Sequence, residues 1–436
     1  MVLWLMRALI VRVHDLISPF GEAARDTWLL DTTLGKAMDR SLRGAGLEPV
    51  QVESLAEAEA RARESAEGAL IVLDSVAFSP RLLREFLRIA RGSSEKVALK
   101  CGLARNPASD DLSHVSGLEP VTVGGTGKDG DGSSEAWTAP MYFLRGAVEL
   151  QDAKPCIVPH KPTVIRRSAP KGLLASGELV IALSDTFVCN VSHWVHVLRV
   201  NTASLVVPWS ERGRYGYRVL GTAWYLWRLL CAFPFTGGRL GETFRMVHPR
   251  ARLHRSAHVE GAIIAKGAEI GVNAVIKHSY IGEGARIEDG AHVVGSVVGP
   301  GAYVGRSCSV VGCLLYPGSF AAQQLMQVSI LGTEAGALTS YFFDVNFGKN
   351  VRGAQGERFV DSGQPALGAC VGPRARIGGG VWVASGREIP ADALIVKDPG
   401  EVVFRIGEIG KNPAITRNGV AEPLSLKAGR KGSAES

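Results

Sequence analysis

Four groups of residues have types and spacings that could do chemistry. His254 and His258 stand four apart, a spacing that can present two imidazoles to one zinc ion. No third ligand lies at a convincing distance, so no zinc site is expected. His278 and His292 are 14 apart and could reach a cleft shared with another subunit, or stand as solvated imidazoles. Arg252, Arg255, Arg286, Arg306, Arg374 and Arg376 recur along one region, as an anion-binding strip or as a solubilising face. The run Asp344-Val345-Asn346-Phe347-Gly348-Lys349-Asn350 offers amide and ammonium donors, which suit a diphosphate or a thioester carbonyl. Further upstream, Asp74 closes the apolar run GALIVL, where a lone carboxylate often serves as a cap or turn residue.

The whole chain limits what these groups can be. It has 436 residues, enough for two or three domains, with 46% hydrophobic and 21% charged residues. A net charge of +7 suits phosphates, nucleotides or an acidic membrane surface, and no nucleic-acid motif accompanies it. Seven cysteines without a CxxC pair point to a reducing compartment, and a cytoplasmic location is expected. The start MVLWLMRALIVRV lacks a basic opening and a cleavage site, so it is not read as a signal peptide. No run of 18 uncharged apolar residues exists, so no spanning helix is expected.

Positioning falls to a repeat. Apolar residues stand at Val247, Leu253 and Val259, then at Ile264, Ile270 and Ile276, then at Ile281, Ile287 and Val293, then at Val298, Val304 and Val310. The spacing of six, six and five gives a period of 17, with small residues such as Ala268, Ala274, Ala285, Ala291, Ala302 and Cys308 between. The short side carries larger residues at the equivalent place: Ile263, Tyr280, Val297 and Leu314. Gly267, Gly284, Gly301 and Gly318 fall at one phase and permit tight corners. A fixed period of this kind means a solenoid, here a three-sided prism of short strands. This resembles the left-handed parallel β-helix of the hexapeptide-repeat transferases. The short sides "SYIGEG" and "SVVGPG" are most similar to the β-helices attached to sugar-phosphate nucleotidyltransferases.

Residues 6–102 alternate strand-like runs (RALIVRV, EPVQVES, GALIVLDS, KVALKCG) with helical patterns, which predicts a parallel sheet covered on both faces. Residues 107–137 are polar and Gly-rich and are read as a mobile loop. The order of elements resembles the α/β, Rossmann-like fold of the sugar-phosphate nucleotidyltransferases over about residues 6–200. That family opens with a G-x-G-[TS]-R loop and a Lys that hold a nucleoside triphosphate. Here only Gly21, Arg25 and Lys36 remain, and the glycine pair is missing. The resemblance also puts Asp74 at the position of a Mg2+ ligand, with Asp185 as a candidate second one. The expected organisation is thus an α/β domain over 1–207 and a Trp- and Arg-rich helical linker over 208–246. A β-helix follows over 247–411, with a loop thrown out at 344–364 and a disordered tail over 412–436. The linker reads as a packed connector, with an interfacial membrane helix as the alternative.

The Asn346–Lys349 run resembles the T-x-x-N-Y-D-G-x-x-K loop near the acetyl-CoA site of bifunctional uridylyltransferase/acetyltransferases, with altered spacing. The resemblance implies Asn346, Phe347, Lys349 and Arg306 as acyl-donor or anion contacts, and Arg25, Lys36 and Asp74 as sugar-phosphate or nucleotide contacts. The family's general-base His would fall in AAQQLMQVSILG, which has none, so no catalytic residue is assigned. A prism of this length exposes edges and apolar flanks that parallel packing of three copies would cover, so a homotrimer is expected, and the resemblance implies a transferase of envelope-polysaccharide or precursor metabolism. The alternatives are a catalytically inactive trimeric scaffold or ligand sensor, and a membrane-associated platform.

Overall fold

The computed structural model describes residues 6–93, 96–124, 133–168, 177–211, 245–345, 349–355, 358–403, 405–407 and 414–423. Its N-terminal unit is a mixed α/β sandwich. The sheet is built from β1 (Met6–Val11), β2 (Leu47–Val52), β3 (Ala69–Leu73), β4 (Val97–Ala104), β5 (Glu119–Gly124), β6 (Ser133–Arg145) and β7 (Lys154–Val158). The strand order is β7-β4-β6-β3-β1-β2, with β5 on β6. The strands β2, β1 and β3 are parallel, whereas β6 runs antiparallel to both β3 and β4. The four strands of residues 6–102 run parallel to one another as expected, and the sheet is mixed because the chain returns through its middle as β6 before β7 is laid down.

Helices α1 (Leu34–Gly44) and α3 (Pro80–Arg91) bury Leu34, Met38, Leu42, Leu82, Leu83 and Phe86 on one face. Helix α2 (Leu55–Arg63) presents Ala58 and Ala62 to Leu9, Val11 and Ile71 on the other. Capping sets the start of α3: the Ser79 side chain accepts from Leu82 N–H, with Pro80 in the first turn. The same chemistry corrects the expected loop at 107–137. Asn106 and Ser109 form a capping box that starts α4 (Pro107–Ser113), and β5 and the start of β6 also fall in this stretch, whereas 125–132 lie outside the described residues.

Between Met246 and Ile395 the chain coils into three parallel sheets, two of eight strands and one of seven. This fits the left-handed β-helix that the sequence resembles. On one wall Ile264, Ile281, Val298, Leu315, Leu331 and Val371 sit in register, one coil above the next. The corner glycines Gly267, Gly284, Gly301 and Gly318 have φ of +69, +65, +65 and +68°. At another corner Ser279 and Ser296 are buried and bond between coils: Ser296 N–H donates to Ser279 Oγ at 3.1 Å, and Cys313 N–H to Ser296 Oγ at 3.0 Å.

Tyr280, Val297 and Leu314 neighbour the inward residues on the same strands and face outward, with Ile330 and Cys370 continuing the row. Val297, Leu314, Ile330 and Cys370 are at most 1% exposed and belong to the same apolar core as Phe20, Leu29 and Trp194. The N-terminal unit thus covers this wall directly.

Two further expectations change. The loop at 344–364 contains an antiparallel hairpin of Arg352–Gln355 and Arg358–Asp361. The stretch read as a disordered tail contains Ala414–Arg417 paired antiparallel with Val420–Pro423. The Trp- and Arg-rich segment over 212–244 lies outside the described residues. Among the described residues no helix is long and apolar enough to cross a membrane.

Leu314→Ala removes a fully buried side chain from the covered wall. It should destabilise the protein by about 2–5 kcal/mol, read as a lower denaturant midpoint.

Candidate functional site

In open α/β sheets, ligands meet the chain at the carboxyl ends of the parallel strands. Here β1 ends at Val11 and β3 at Leu73, and the next residue is Asp74. Asp74 N–H continues the ladder to Val11 O at 2.9 Å. Its side chain turns back, and Oδ1 accepts Val13 N–H at 3.0 Å. Asp74 is 2% exposed, and its Oδ2 is buried with no hydrogen-bond partner. Arg25 Nη1 approaches Oδ2 at 3.6 Å. Burial pushes the Asp74 carboxyl above its ordinary range, opposed by the Val13 hydrogen bond and by Arg25 and Arg12.

These residues do not fit a divalent cation. A guanidinium holds the position beside Oδ2. Among the described residues no group of three His, Cys, Asp or Glu is poised to hold a metal. Asp185 is engaged elsewhere, with Oδ2 2.6 Å from Arg81 Nη1. Lys36 is exposed on the first turn of α1, without a bond to Asp74.

The loop between β1 and α1 is held by the prism. The Phe20 ring stacks on the Tyr316 ring, with centroids 5.2 Å apart and planes at 20°. Tyr316 Oη accepts Trp28 N–H at 3.1 Å and donates to Glu22 Oε1 at 3.4 Å. Asn201, on α5 (Trp194–Ser204), accepts Leu30 N–H at 2.8 Å and donates to Trp28 O at 2.7 Å. Burial raises the Glu22 carboxyl to about 7.

The hairpin that follows the expected acyl-donor run fastens the two units together. His193 Nε2–H and Trp194 Nε1–H both donate to Ala354 O, at 2.8 and 3.1 Å. Val195 N–H donates to His193 Nδ1, which fixes that tautomer, and burial lowers His193 to about 4, so the ring is neutral. His196 is fully buried and held at about 3, bonded to His114 O and to Ser192 N–H. Arg199 donates to Ser362 O at 2.5 Å and to Asp111 O, and Gln364 Nε2 donates to Asp111 Oδ1 at 2.5 Å. His193 and His196 went unnoticed in the sequence. Their i, i+3 spacing within an apolar helix was the available signal, and it marks a structural role here.

Of the proposed acyl-donor contacts, Asn346 and Phe347 lie outside the described residues. Lys349 is exposed, and Arg306 Nε stands 3.9 Å from Asp289 Oδ2 on the prism. The prism histidines form no cluster. His254 Nδ1 bonds to Ser256 Oγ at 2.8 Å, His258 Nε2 lies 3.4 Å from Glu260, and His292 is exposed.

No family model matches the chain, and no curated protein matches it. Among solved structures it is similar to a histidine-to-alanine variant of GDP-perosamine N-acetyl transferase from Caulobacter crescentus in complex with CoA and GDP-perosamine. Identity is 18% over 35% of this chain and 53% of that chain, with a TM-score of 0.12. PerB from Caulobacter crescentus, with the same two ligands, gives 19% over 35% of this chain and 51% of that chain, with a TM-score of 0.13. The chain thus spans about half the length of these structures. Likeness at this level does not extend to activity, and the β-helix rests on its own strand register.

A group whose folded value is raised stabilises below its unfolded value and loses that contribution as pH rises through the folded one. For Glu22 the window runs from about 4.5 to about 7. Glu22→Gln should therefore flatten the fall in unfolding temperature between pH 5 and pH 8. Thermal scans of both proteins across that range, expected to differ by a few degrees at pH 8, check this.

Proposed function

We propose that this chain is a transferase-type protein that binds a sugar phosphate or sugar nucleotide at the carboxyl ends of β1 and β3. The observation that carries the reading is Asp74: a buried carboxylate at the strand ends, with one oxygen lacking a hydrogen bond and an arginine poised over it. A buried acceptor without a donor is costly, and a ligand that supplies the donor relieves that cost. An incoming phosphate gives Arg25 an alternative partner, and Arg12 adds charge nearby. Arg25 then leaves Asp74 free to accept from a sugar hydroxyl. Nucleotidyl or acyl transfer, with acetyl-CoA as one candidate donor at Lys349 and Arg306, is the finer form of this reading. A homotrimer of parallel prisms belongs to it too. Exposed Leu325, Tyr341 and Trp382 on one wall support a contact between copies.

The pinned loop favours a second reading. With Phe20, Glu22 and Trp28 all engaged by Tyr316, the place of a phosphate loop serves as a joint between two units. That suits a scaffold or ligand sensor without turnover.

Thermal stabilisation by sugar 1-phosphates, nucleoside diphosphate sugars and acetyl-CoA tests the first reading. A ligand at 100 times its dissociation constant should stabilise by about 2.7 kcal/mol. Asp74→Asn and Arg25→Ala should each cut that affinity about tenfold or more. Binding without any product would leave the sensor reading. Loss of neither binding nor stabilisation in both variants would remove Asp74 from the site.

A further inference from the structure

A second cavity lies in the seam between the units, and Asp74 is not among its lining residues. It encloses about 380 Å3, within the range of small-molecule sites. Its walls come from α1, from the start of α3, from Val207–Glu211, and from the outward residues Ile263 and Tyr280 of the prism's covered wall. Leu29, Phe78, Phe187 and Met246 make much of the surface apolar.

The polar groups on the lining are almost all satisfied within the protein. Arg40 Nη1 reaches both oxygens of Asp31, at 3.3 and 3.1 Å. Arg84 and Glu211 form a two-point pair at 3.0 and 2.5 Å. Each arginine is thus offset by a carboxylate, and the lining carries no net charge from these four residues. Ser41 Oγ–H donates to Ala37 O at 2.9 Å, and Ser204 Oγ–H to Val200 O at 2.7 Å, so both hydroxyls turn back onto their own helices. Ser79 Oγ accepts from Leu82 N–H and Phe187 N–H. Tyr280 differs. Its hydroxyl makes no hydrogen bond among the described residues, although Asp31 and Arg40 stand close enough to influence it, and burial raises it to about 12. A partly buried phenol in a mostly apolar cavity normally finds a partner.

We propose that this seam cavity binds a small, uncharged, largely apolar molecule whose single oxygen bonds to the Tyr280 hydroxyl. Among the described residues the charges on the lining are paired, which disfavours an anionic or cationic occupant, since either would be buried against groups already engaged. The apolar area gives affinity, and Tyr280 gives orientation. The inference does not depend on the Asp74 reading, because the two sites share no residue named in either argument.

The test uses the full chain and prodan, a neutral naphthyl ketone whose emission reports both apolarity and hydrogen bonding. Saturable binding at one site per chain, with a blue-shifted emission, is expected. Tyr280→Phe should keep the site but weaken it about two- to tenfold, the range of one neutral hydrogen bond, and shift the emission further to the blue. Ala37→Trp, placed on the lining, should abolish binding while the unfolding temperature shows a folded protein. Ala37→Leu carries the same arm if the tryptophan variant does not fold. Unsaturable binding, or saturable binding untouched by filling at Ala37, would overturn the proposal. So would stronger binding of the anionic probe 8-anilinonaphthalene-1-sulfonate at the same site. An unchanged affinity and spectrum in Tyr280→Phe would overturn the assigned role of the hydroxyl.

Discussion

A strand that is apolar on both faces must be covered on both. One wall of this prism meets that condition, with Val298, Leu315 and Leu331 pointing into the coil and Val297, Leu314 and Ile330 pointing out. The outward row is as fully buried as the inward one, and the N-terminal unit is what buries it. Much else follows from that wall. The loop after β1 lies against it at Tyr316, and the prism's inserted hairpin reaches across to α5. The loop after β1 and the inserted hairpin are therefore drawn into one joint.

That joint decides how the site residues are used. Arg25 and Asp74 meet at the carboxyl ends of parallel strands, but their surroundings are set by packing as much as by any ligand. Glu22 is held beside Tyr316 in a setting that favours its protonated form. The neutral imidazoles of His193 and His196 work as directional hydrogen-bond donors, with no open position for proton transfer. The same joint leaves one space unfilled, where Tyr280 departs from the close apolar fit of Val297 and Leu314.

The prism could be read in the sequence because its inward residues obey a fixed spacing, and the register of Ile264, Ile281 and Val298 follows it. The outward row was visible too, at Tyr280, Val297 and Leu314. Its apolar character alone did not disclose that another unit covers it. The direction of β6 was not legible, since composition does not say which way a strand runs between its neighbours. Helix α4 was hidden in a polar stretch, although Asn106, Pro107 and Ser109 carried its start. Asp74 and Arg25 were found as separate candidates, and their ion pair needed the fold. Tyr316 gave no local signal at all, because its partners Glu22 and Trp28 lie almost 300 positions away.

The contacts between the units are spread along the prism's axis: Tyr280 near the start, Tyr316 midway, Ala354 on the inserted hairpin, and Glu388 near the last coil, where Ser18 Oγ donates to it at 2.6 Å. A free solenoid holds together through neighbouring repeats alone and can fray from either end. Splinted along several coils by the loop after β1 and by α5, this one loses that freedom. Peeling a coil that carries one of these contacts also means prying off part of the splint, which couples the fraying of the prism to the N-terminal unit.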